Sequence, residues 1–192
     1  MKPLVRASVR ASISVCLSIA LLSPFVIASD VPEPDGYRLE EYDAPVPVSL
    51  KGATTVDAVA VKQLLDEQNA LLIDVIPAHR KPDFLPENQI WIPPSHMGIE
   101  GAVWLPDIGY GVLSDTTLKY FTDNLEKHTG SNTDIPVIFY CRLDCWMSWN
   151  AARRALTMGY KNVYWFADGI EGWTFEDYSL VPLQAEPGKR QE

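Results

Sequence analysis

Residues 135–158 read IPVIFYCRLDCWMSWNAARRALTM, and this stretch decides the fold. The apolar run 135–140 predicts a buried strand, and the spacing of apolar residues in 148–158 predicts the helix that follows it. Cys141 and Cys145 lie in the loop between them. Loops at the carboxyl ends of strands meet the positively polarised amino ends of helices, so a thiol there becomes acidic and reactive.

The same alternation of strand and helix continues on both sides of this stretch. Short apolar runs predict further strands at 54–56, 70–75, 101–105 and 164–166, and the last of these is predicted to be the final strand. The spacing of apolar residues predicts helices over 57–65 and 116–127. A connection with five prolines, 77–94, separates the second and third strands. Alternating elements of this kind predict an α/β fold, with a central parallel sheet of about five strands and helices on both faces.

The amino terminus has the layout of a secretory signal peptide. Three cations precede an apolar stretch at 13–27, which small residues close at Ala28 and Ser29. We therefore expect cleavage near residue 28, export to the periplasm and no membrane attachment afterwards. The predicted organisation is a signal peptide at 1–28, a lead-in rich in proline and acids at 29–52, one domain at 53–183 and a polar tail at 184–192.

The charge of the chain narrows the range of partners. The whole chain carries a formal charge of −9, and loss of the signal peptide removes three cations and no acids, which leaves −12. A surface this acidic repels phosphate backbones and anionic lipid. We expect neither nucleic-acid nor membrane binding.

The two cysteines that remain after cleavage have three possible roles. Cys16 would leave with the signal peptide, so Cys141 and Cys145 form a lone pair in a compartment that favours disulfides. The pair is a redox or sulfur-carrying site, a structural bridge across the loop, or a thiolate site for Cu(I) with His79 or His96 as a third ligand. A bridge across so short a loop constrains the unfolded chain little, which favours reactivity. The pattern calls for no cofactor, and we assign no metal ligands.

The chain resembles the rhodanese-like family in several segments. The matching motifs are LIDV at 72–75, MGIEGA at 97–102, YKNVY at 160–164 and DGIEGW at 168–173. The resemblance implies a rhodanese fold and makes Cys141 the nucleophile. Ile76 and Met147 stand where the family has arginines, and Gly98 stands where it has a histidine, so the resemblance implies a weakened anion cradle and weakened thiosulfate transfer.

A narrower resemblance is to an exported family with a Cys-x-x-x-Cys-Trp motif, associated with pyrroloquinoline-quinone-dependent alcohol oxidation. It is carried by the run 141–146, by GYR at 36–38 and by APVP at 44–47. It implies that Cys141, Cys145 and Trp146 form the site and that the partner is a periplasmic redox protein or quinoprotein. Cysteines four positions apart on a turn can come within disulfide range, and in that geometry Cys141 attacks or carries sulfur and Cys145 resolves the intermediate.

Other side chains around the loop complete the candidate site. They are Arg142, Leu143, Asp144, Trp146, Met147 and, at the end of the second strand, Asp74. Arg142 and Asp144 act on the thiol in opposite directions, while Trp146 and Met147 are expected to make an apolar rim. We interpret Asp74 chiefly as a turn-capping residue and Trp149 as packing beneath the loop. Trp91 is either part of a lid or docking patch or a cover over the sheet edge.

Overall fold

The computed structural model describes residues 31–68 and 70–190, and the predicted signal peptide with Cys16 lies outside these residues. The helices are α1 (Ala58–Gln68), α2 (Asp115–Thr129), α3 (Trp146–Thr157) and α4 (Gly169–Phe175). The strands are β1 (Thr54–Thr55), β2 (Leu71–Asp74), β3 (His96–Ile99), β4 (Val103–Trp104), β5 (Val137–Tyr140), β6 (Val163–Phe166) and β7 (Leu180–Leu183).

Five strands form the central sheet in the order β1-β6-β5-β2-β4. Every pairing in it is parallel, as the alternation of strands and helices predicts. β5 and β2 lie in the middle, which explains why all of β5 and most of β2 are buried. The predicted α/β fold is confirmed.

Two hydrophobic cores lie on opposite faces of the sheet. Residues of α2 and α3 pack with Ile73, Phe139 and Trp165 on one face. Residues of α1 and α4 pack with Leu72 and Ile138 on the other. The inward and outward alternation along β2 and β5 places successive side chains in different cores, so both faces must be apolar.

Two strands were missed by the pattern analysis. β3 and β7 form a separate antiparallel pair, so β6 is not the last strand. The sequence HMGI at 96–99 contains a glycine and a histidine and shows no alternation, and β7 contains Pro182. Neither segment carries a strong strand signal by itself, because each is stabilised by pairing with the other.

The first turn of α3 begins two residues earlier than predicted. Asp144 has a positive φ of 54°, which turns the chain sharply and brings Cys145 into the N-cap position. Trp146 and Met147 consequently belong to the helix and are only 2% exposed. The expectation that they form an exposed apolar rim is wrong.

Candidate functional site

The candidate site is centred on a disulfide at the carboxyl end of β5. Cys141 follows the last strand residue, Cys145 precedes the first helical residue of α3, and the two Cα atoms are 6.1 Å apart. Both cysteines are enclosed, with exposed fractions of 0% and 1%. The four-residue spacing predicts that the two cysteines lie within bonding reach of each other, and the structure places them there but buries both.

Three residues lie between the two cysteines, and several of their polar groups are already engaged, although Arg142 Nε is buried without a hydrogen-bond partner in the described chain. The Arg142 guanidinium is paired with Asp43, with 2.9 Å between Nη2 and Oδ1. The backbone amide of Leu143 donates to the Glu171 carboxylate over 2.8 Å. Leu143 itself is 51% exposed and is the outermost apolar side chain of the loop. The charge of Arg142 is therefore directed to Asp43, and a carboxylate already occupies one of the amides that could bind an anion.

The lead-in crosses directly over the bridge. The amide of Ala44 donates to the carbonyl of Asp144, and the amide of Trp146 donates to the carbonyl of Tyr42, each over 2.9 Å. These backbone hydrogen bonds form an isolated antiparallel β-bridge between Asp43 and Cys145, in addition to the disulfide. Since the backbone of 42–44 lies along the loop, this segment and the core behind it enclose the sulfur atoms.

Trp146 anchors the lead-in. Its indole Nε1 donates to the carbonyl of Pro45 over 3.2 Å, and the guanidinium carbon of Arg38 lies 5.2 Å from the centre of the ring. Trp149 is fully buried next to it and donates to the carbonyl of Ser49, so the interpretation of Trp149 as a packing residue is confirmed. Both indoles therefore contact the protein's own lead-in.

Asn150 also ties the lead-in to α3, and it was missed by sequence reasoning. Its side-chain amide accepts from the backbone amide of Arg38 and donates to the carbonyls of Arg38 and Gly109, each over 2.9 Å. Asn150 is fully buried. The available signal was an Asn one helical turn after the predicted active loop, on a helix expected to pack against the sheet. A buried Asn side chain needs hydrogen-bond partners, and backbone groups of another segment supply them here.

Met147 packs inward instead of facing the loop. A Cβ atom added to Gly109 would lie 2.5 Å from Met147 Cβ, so the two residues are in close contact. The position where the family resemblance calls for an arginine is thus part of the hydrophobic core. Met147 contributes no positive charge to an anion-binding loop.

Asp74 lies at the same sheet edge and holds three groups together. Its Oδ1 accepts from the amide of Ile76 over 2.8 Å, which confirms the turn-capping interpretation. Its Oδ2 lies 2.8 Å from His96 Nε2 and accepts a bond of the same length from the Tyr140 hydroxyl. Burial, and then the charge of Asp74, raise the pKa of Tyr140 well above its ordinary value. His96 is therefore a partner of Asp74, and it stacks on Trp104.

The helix dipole acts on Cys145 more directly than on Cys141. Cys145 is the N-cap residue of the 12-residue helix α3, and no side-chain hydrogen bond caps that end. The positive end of a helix stabilises a thiolate, so in the reduced protein Cys145 is the sulfur whose anion is favoured by this effect.

Burial, and then the nearby carboxylates of Asp57 and Asp144, raise the pKa of Asp168 beside the loop.

Gly169 lets α4 approach the cysteine loop closely. Its φ is +55°, and a Cβ atom there would clash with the carbonyl oxygen of Cys141. The amide of the next residue, Ile170, donates to that carbonyl over 3.1 Å. Glu171 reaches Leu143 from the same turn, although sequence reasoning gave this segment no role in the site. The sequence pattern does not reveal that Gly169 and the start of α4 lie against the Cys141 carbonyl.

Two further properties concern metal ions and membranes. Within residues 31–68 and 70–190, no three His, Cys, Asp or Glu side chains group together as a metal ion would require. None of the helices in the described part of the chain combines the length and apolar character needed to cross a bilayer.

Three solved structures are similar to this chain at low sequence identity and with TM-scores below 0.5. A thiosulfate sulfurtransferase from Pseudomonas aeruginosa matches with 19% identity and a TM-score of 0.48, over 73% of this chain and 22% of that one. A rhodanese-like domain from Anabaena matches with 14% identity and a TM-score of 0.43, over 74% of this chain and 89% of that one. A 3-mercaptopyruvate sulfotransferase from Escherichia coli matches with 18% identity and a TM-score of 0.43, over 72% of this chain and 56% of that one. The chain thus spans about a fifth of the length of the first of these proteins and about half of the third.

The family comparison covers most of the domain. No curated protein sequence is similar enough to this chain to count as a match. The rhodanese-like domain family matches residues 57–176, which run from the residue before α1 to the residue after α4. This match includes the cysteine loop and β2, and it covers more than half of the chain. The chain belongs to the rhodanese-like domain family.

Proposed function

We propose that this rhodanese-like protein is a thiol–disulfide exchange or sulfur-carrier protein in which Cys141 and Cys145 are the working pair. The observation that carries the proposal is the disulfide between cysteines four positions apart at the end of β5. A bridge this short adds little constraint to the unfolded chain, while its position adjoins a helix amino end that favours a thiolate. Both properties suit a bond that is made and broken.

The exchange reaction follows from the two sulfur environments. A partner thiolate attacks Sγ of Cys141, the bond to Cys145 breaks, and its electron pair leaves on Cys145 Sγ. Cys145 is the better leaving group because the amino end of α3 stabilises its thiolate. A second partner thiolate then attacks the partner's sulfur in the mixed disulfide, releasing Cys141 as a thiolate and the partner as a disulfide. Two electrons pass to the protein.

Sulfur carriage would use the same pair in the opposite order. The Cys141 thiolate attacks the sulfane sulfur of a persulfide donor, the donor's S–S bond breaks, the donor leaves as a thiolate, and Cys141 becomes a persulfide. The Cys145 thiolate then attacks Sγ of Cys141, which forms the bridge and releases hydrosulfide. Thiosulfate is a poor donor in this scheme, because Glu171 occupies the Leu143 amide and Met147 supplies no charge.

Access to the sulfurs requires displacement of the lead-in. The contacts that close the site are hydrogen bonds from 42–45, the ion pair between Arg142 and Asp43, and the packing of Tyr42 and Ala44 against the core. A partner surface that opens the site must replace these contacts, of which each hydrogen bond contributes about 0.5–1.5 kcal/mol net. Leu143, exposed at the outer edge of the loop, is positioned to meet that surface.

The physiological setting is part of the proposal. We place the protein in the periplasm, as a partner of a pyrroloquinoline-quinone-dependent alcohol oxidation system. The signal-peptide layout of residues 1–28 and the sequence resemblance in the lead-in and the 141–146 motif support this assignment. The rhodanese-like family match by itself bears only on the domain.

A single-cysteine trap tests the proposed chemistry. Reduced Cys145→Ser protein is incubated with glutathione disulfide under native conditions, and its intact mass is followed. We expect a stable mixed disulfide at Cys141, because the resolving thiol is missing. Cys141→Ser is the matched control, and it measures the reaction that Cys145 supports alone. Failure of both variants to react while they stay folded would contradict the proposal.

The same variant tests the physiological setting. Cys145→Ser protein expressed with its signal sequence is recovered from the periplasm without reductant. We expect reductant-sensitive complexes that contain a quinoprotein dehydrogenase or its cytochrome, and no such complexes with Cys141→Ser. Recovery of only unrelated thiol proteins would contradict this partner assignment and leave the exchange chemistry intact.

One observation favours a second function. Both sulfurs are buried, and the lead-in crosses them, as in a bridge that only fastens the loop. Such a protein would be a non-catalytic binding module. In that case the bridge would be reduced only when the whole domain unfolds, whereas an exchanging bridge is reduced after a local opening.

A further inference from the structure

A cleft outside the cysteine loop has properties that the proposed redox chemistry does not use. It has a volume of about 980 Å³ and lies where the chain leaves β2 and β4, between segments 78–81, 188–190 and Asp107. It is therefore at the carboxyl edge of the parallel sheet, where open α/β folds bind ligands. Its volume is that of a small-molecule site.

The lining of this cleft is opposite in charge to the rest of the protein. Four permanently cationic side chains, Arg80, Lys81, Lys189 and Arg190, face one carboxylate, Asp107. The chain as a whole carries a formal charge of −9. Cations gathered in one concavity of an acidic protein attract an anionic ligand and focus its approach.

The cations differ in whether they are already engaged. Lys81 is held by the chain, since its Nζ donates to the backbone carbonyls of Pro86, Glu87 and Gln89. Among the described residues, Arg80 and Lys189 have no hydrogen-bond or ion-pair partner, and both are exposed to the cleft. Two cations are thus available for a ligand.

Asp107 and Arg190 form the inner wall. Asp107 is 6% exposed, and its Oδ2 lies 3.7 Å from Arg190 Nε, which is buried without a hydrogen-bond acceptor in the described chain. Burial raises the pKa of Asp107, while the charges of Arg80 and Arg190 oppose that shift. Both guanidinium charges act on this carboxylate, and the four cations of the lining outnumber it, so the cleft keeps a net positive charge.

The rim adds an aromatic surface. Trp91 is half-buried and lines the cleft, whereas its neighbours Ile90 and Ile92 are 88% and 82% exposed. An indole beside guanidinium groups suits a ligand with a carbon skeleton, since it offers apolar contact area that an inorganic ion cannot use.

We propose that this cleft binds a small organic polyanion with two or more carboxylate or phosphate groups. Arg80 and Lys189 bind separate anionic groups, Arg190 completes the inner wall, and Trp91 packs against the carbon skeleton. The concave shape favours a small molecule over an acidic protein surface, which would need a flatter and larger area. The site functions independently of the redox state of the cysteines.

Calorimetry with defined probes tests the site. Wild-type protein is titrated at low ionic strength with citrate, with fructose 1,6-bisphosphate and with acetate. We expect one site for citrate or for the bisphosphate, with acetate at least about tenfold weaker because it can occupy only one cation. The tighter of the first two probes identifies carboxylate or phosphate as the preferred group. Binding should be the same in the double Cys141→Ser, Cys145→Ser protein.

Variants separate a built site from general attraction. Arg80→Gln should weaken binding about tenfold, the effect of one lost charge-assisted hydrogen bond, without changing the melting temperature. Lys62→Gln is the matched control, because Lys62 is an exposed cation on α1 outside the cleft. Absence of binding by both polyanions, equal binding of acetate, or equal weakening by Lys62→Gln would overturn the proposal.

Discussion

Reduction of the Cys141–Cys145 bridge should destabilise the folded domain only modestly. The bridge closes a loop of five residues, and the chain-entropy relation gives about 2 kcal/mol for a loop of that length at 25 °C. A bridge closing 100 residues would give about 4.7 kcal/mol. The hydrophobic enclosure of the sulfurs is present in both redox states, so it adds little to the difference.

Urea unfolding of the oxidised and the reduced protein measures this quantity. We expect the free energies of unfolding to differ by about 2 kcal/mol, which corresponds to a reduction potential about 40 mV lower in the folded than in the unfolded chain. A control with both cysteines changed to Ser should match the reduced protein and be insensitive to reductant. A difference above about 4 kcal/mol would refute the reasoning, since the bridge would then be acting as a fold-stabilising staple.

Three further perturbations test the surroundings of the site. Asp43→Asn should accelerate reduction of the bridge up to about fivefold, because it removes an exposed ion pair with Arg142 worth about 0.2–1 kcal/mol. Gly98→Ala should lower the unfolding free energy by about 1–3 kcal/mol in urea titrations, because the added Cβ would lie 2.8 Å from Asp74 Oδ2. Glu186→Gln should lower the melting temperature at pH 7 and much less at pH 3. Burial alone would raise the pKa of Glu186, but the hydrogen bond from Lys127 and the neighbouring charges lower it overall. The Glu186 carboxylate therefore adds to the free energy of unfolding above the ordinary carboxyl pKa, and this stabilisation is lost as pH falls.

Each of these perturbations has its own control. Asp66→Asn on α1 removes a comparable surface pair and should leave the reduction rate unchanged. Gly36→Ala has open space around its Cβ position and, like Gly98, no positive φ, so it measures the replacement of a glycine without a clash. A melting-temperature loss for Glu186→Gln that is equal at both pH values would show that its carboxylate charge is not the source of stability. Unchanged reduction of Asp43→Asn would indicate that the lead-in does not control access.

The central sheet was predictable because its strands are buried on both faces. Runs such as 70–75 and 135–140 are apolar apart from Asp74, and a helix pattern follows each of β1 and β5. Those signals depend on local sequence alone. The pair β3–β7 depends on contact between segments about 80 residues apart, so the sequence gives little local sign of it.

The candidate site was predictable only in part. The proximity of Cys141 and Cys145 follows from a four-residue separation in a tight loop. Their enclosure does not, because it comes from residues 42–45, about 100 positions earlier in the chain. For the same reason the sequence could not reveal that Glu171 occupies the Leu143 amide, or that Trp146 packs beneath the lead-in.

The most direct test of the exchange proposal compares reduction of the bridge with global unfolding. The native protein is mixed with increasing dithiothreitol at several urea concentrations below the unfolding transition, and loss of the bridge is followed by alkylation and mass measurement. The proposal predicts a rate that rises in proportion to the thiol, far exceeds the global unfolding rate and depends weakly on urea. A reduction rate that equals the unfolding rate and shares its urea dependence would contradict it.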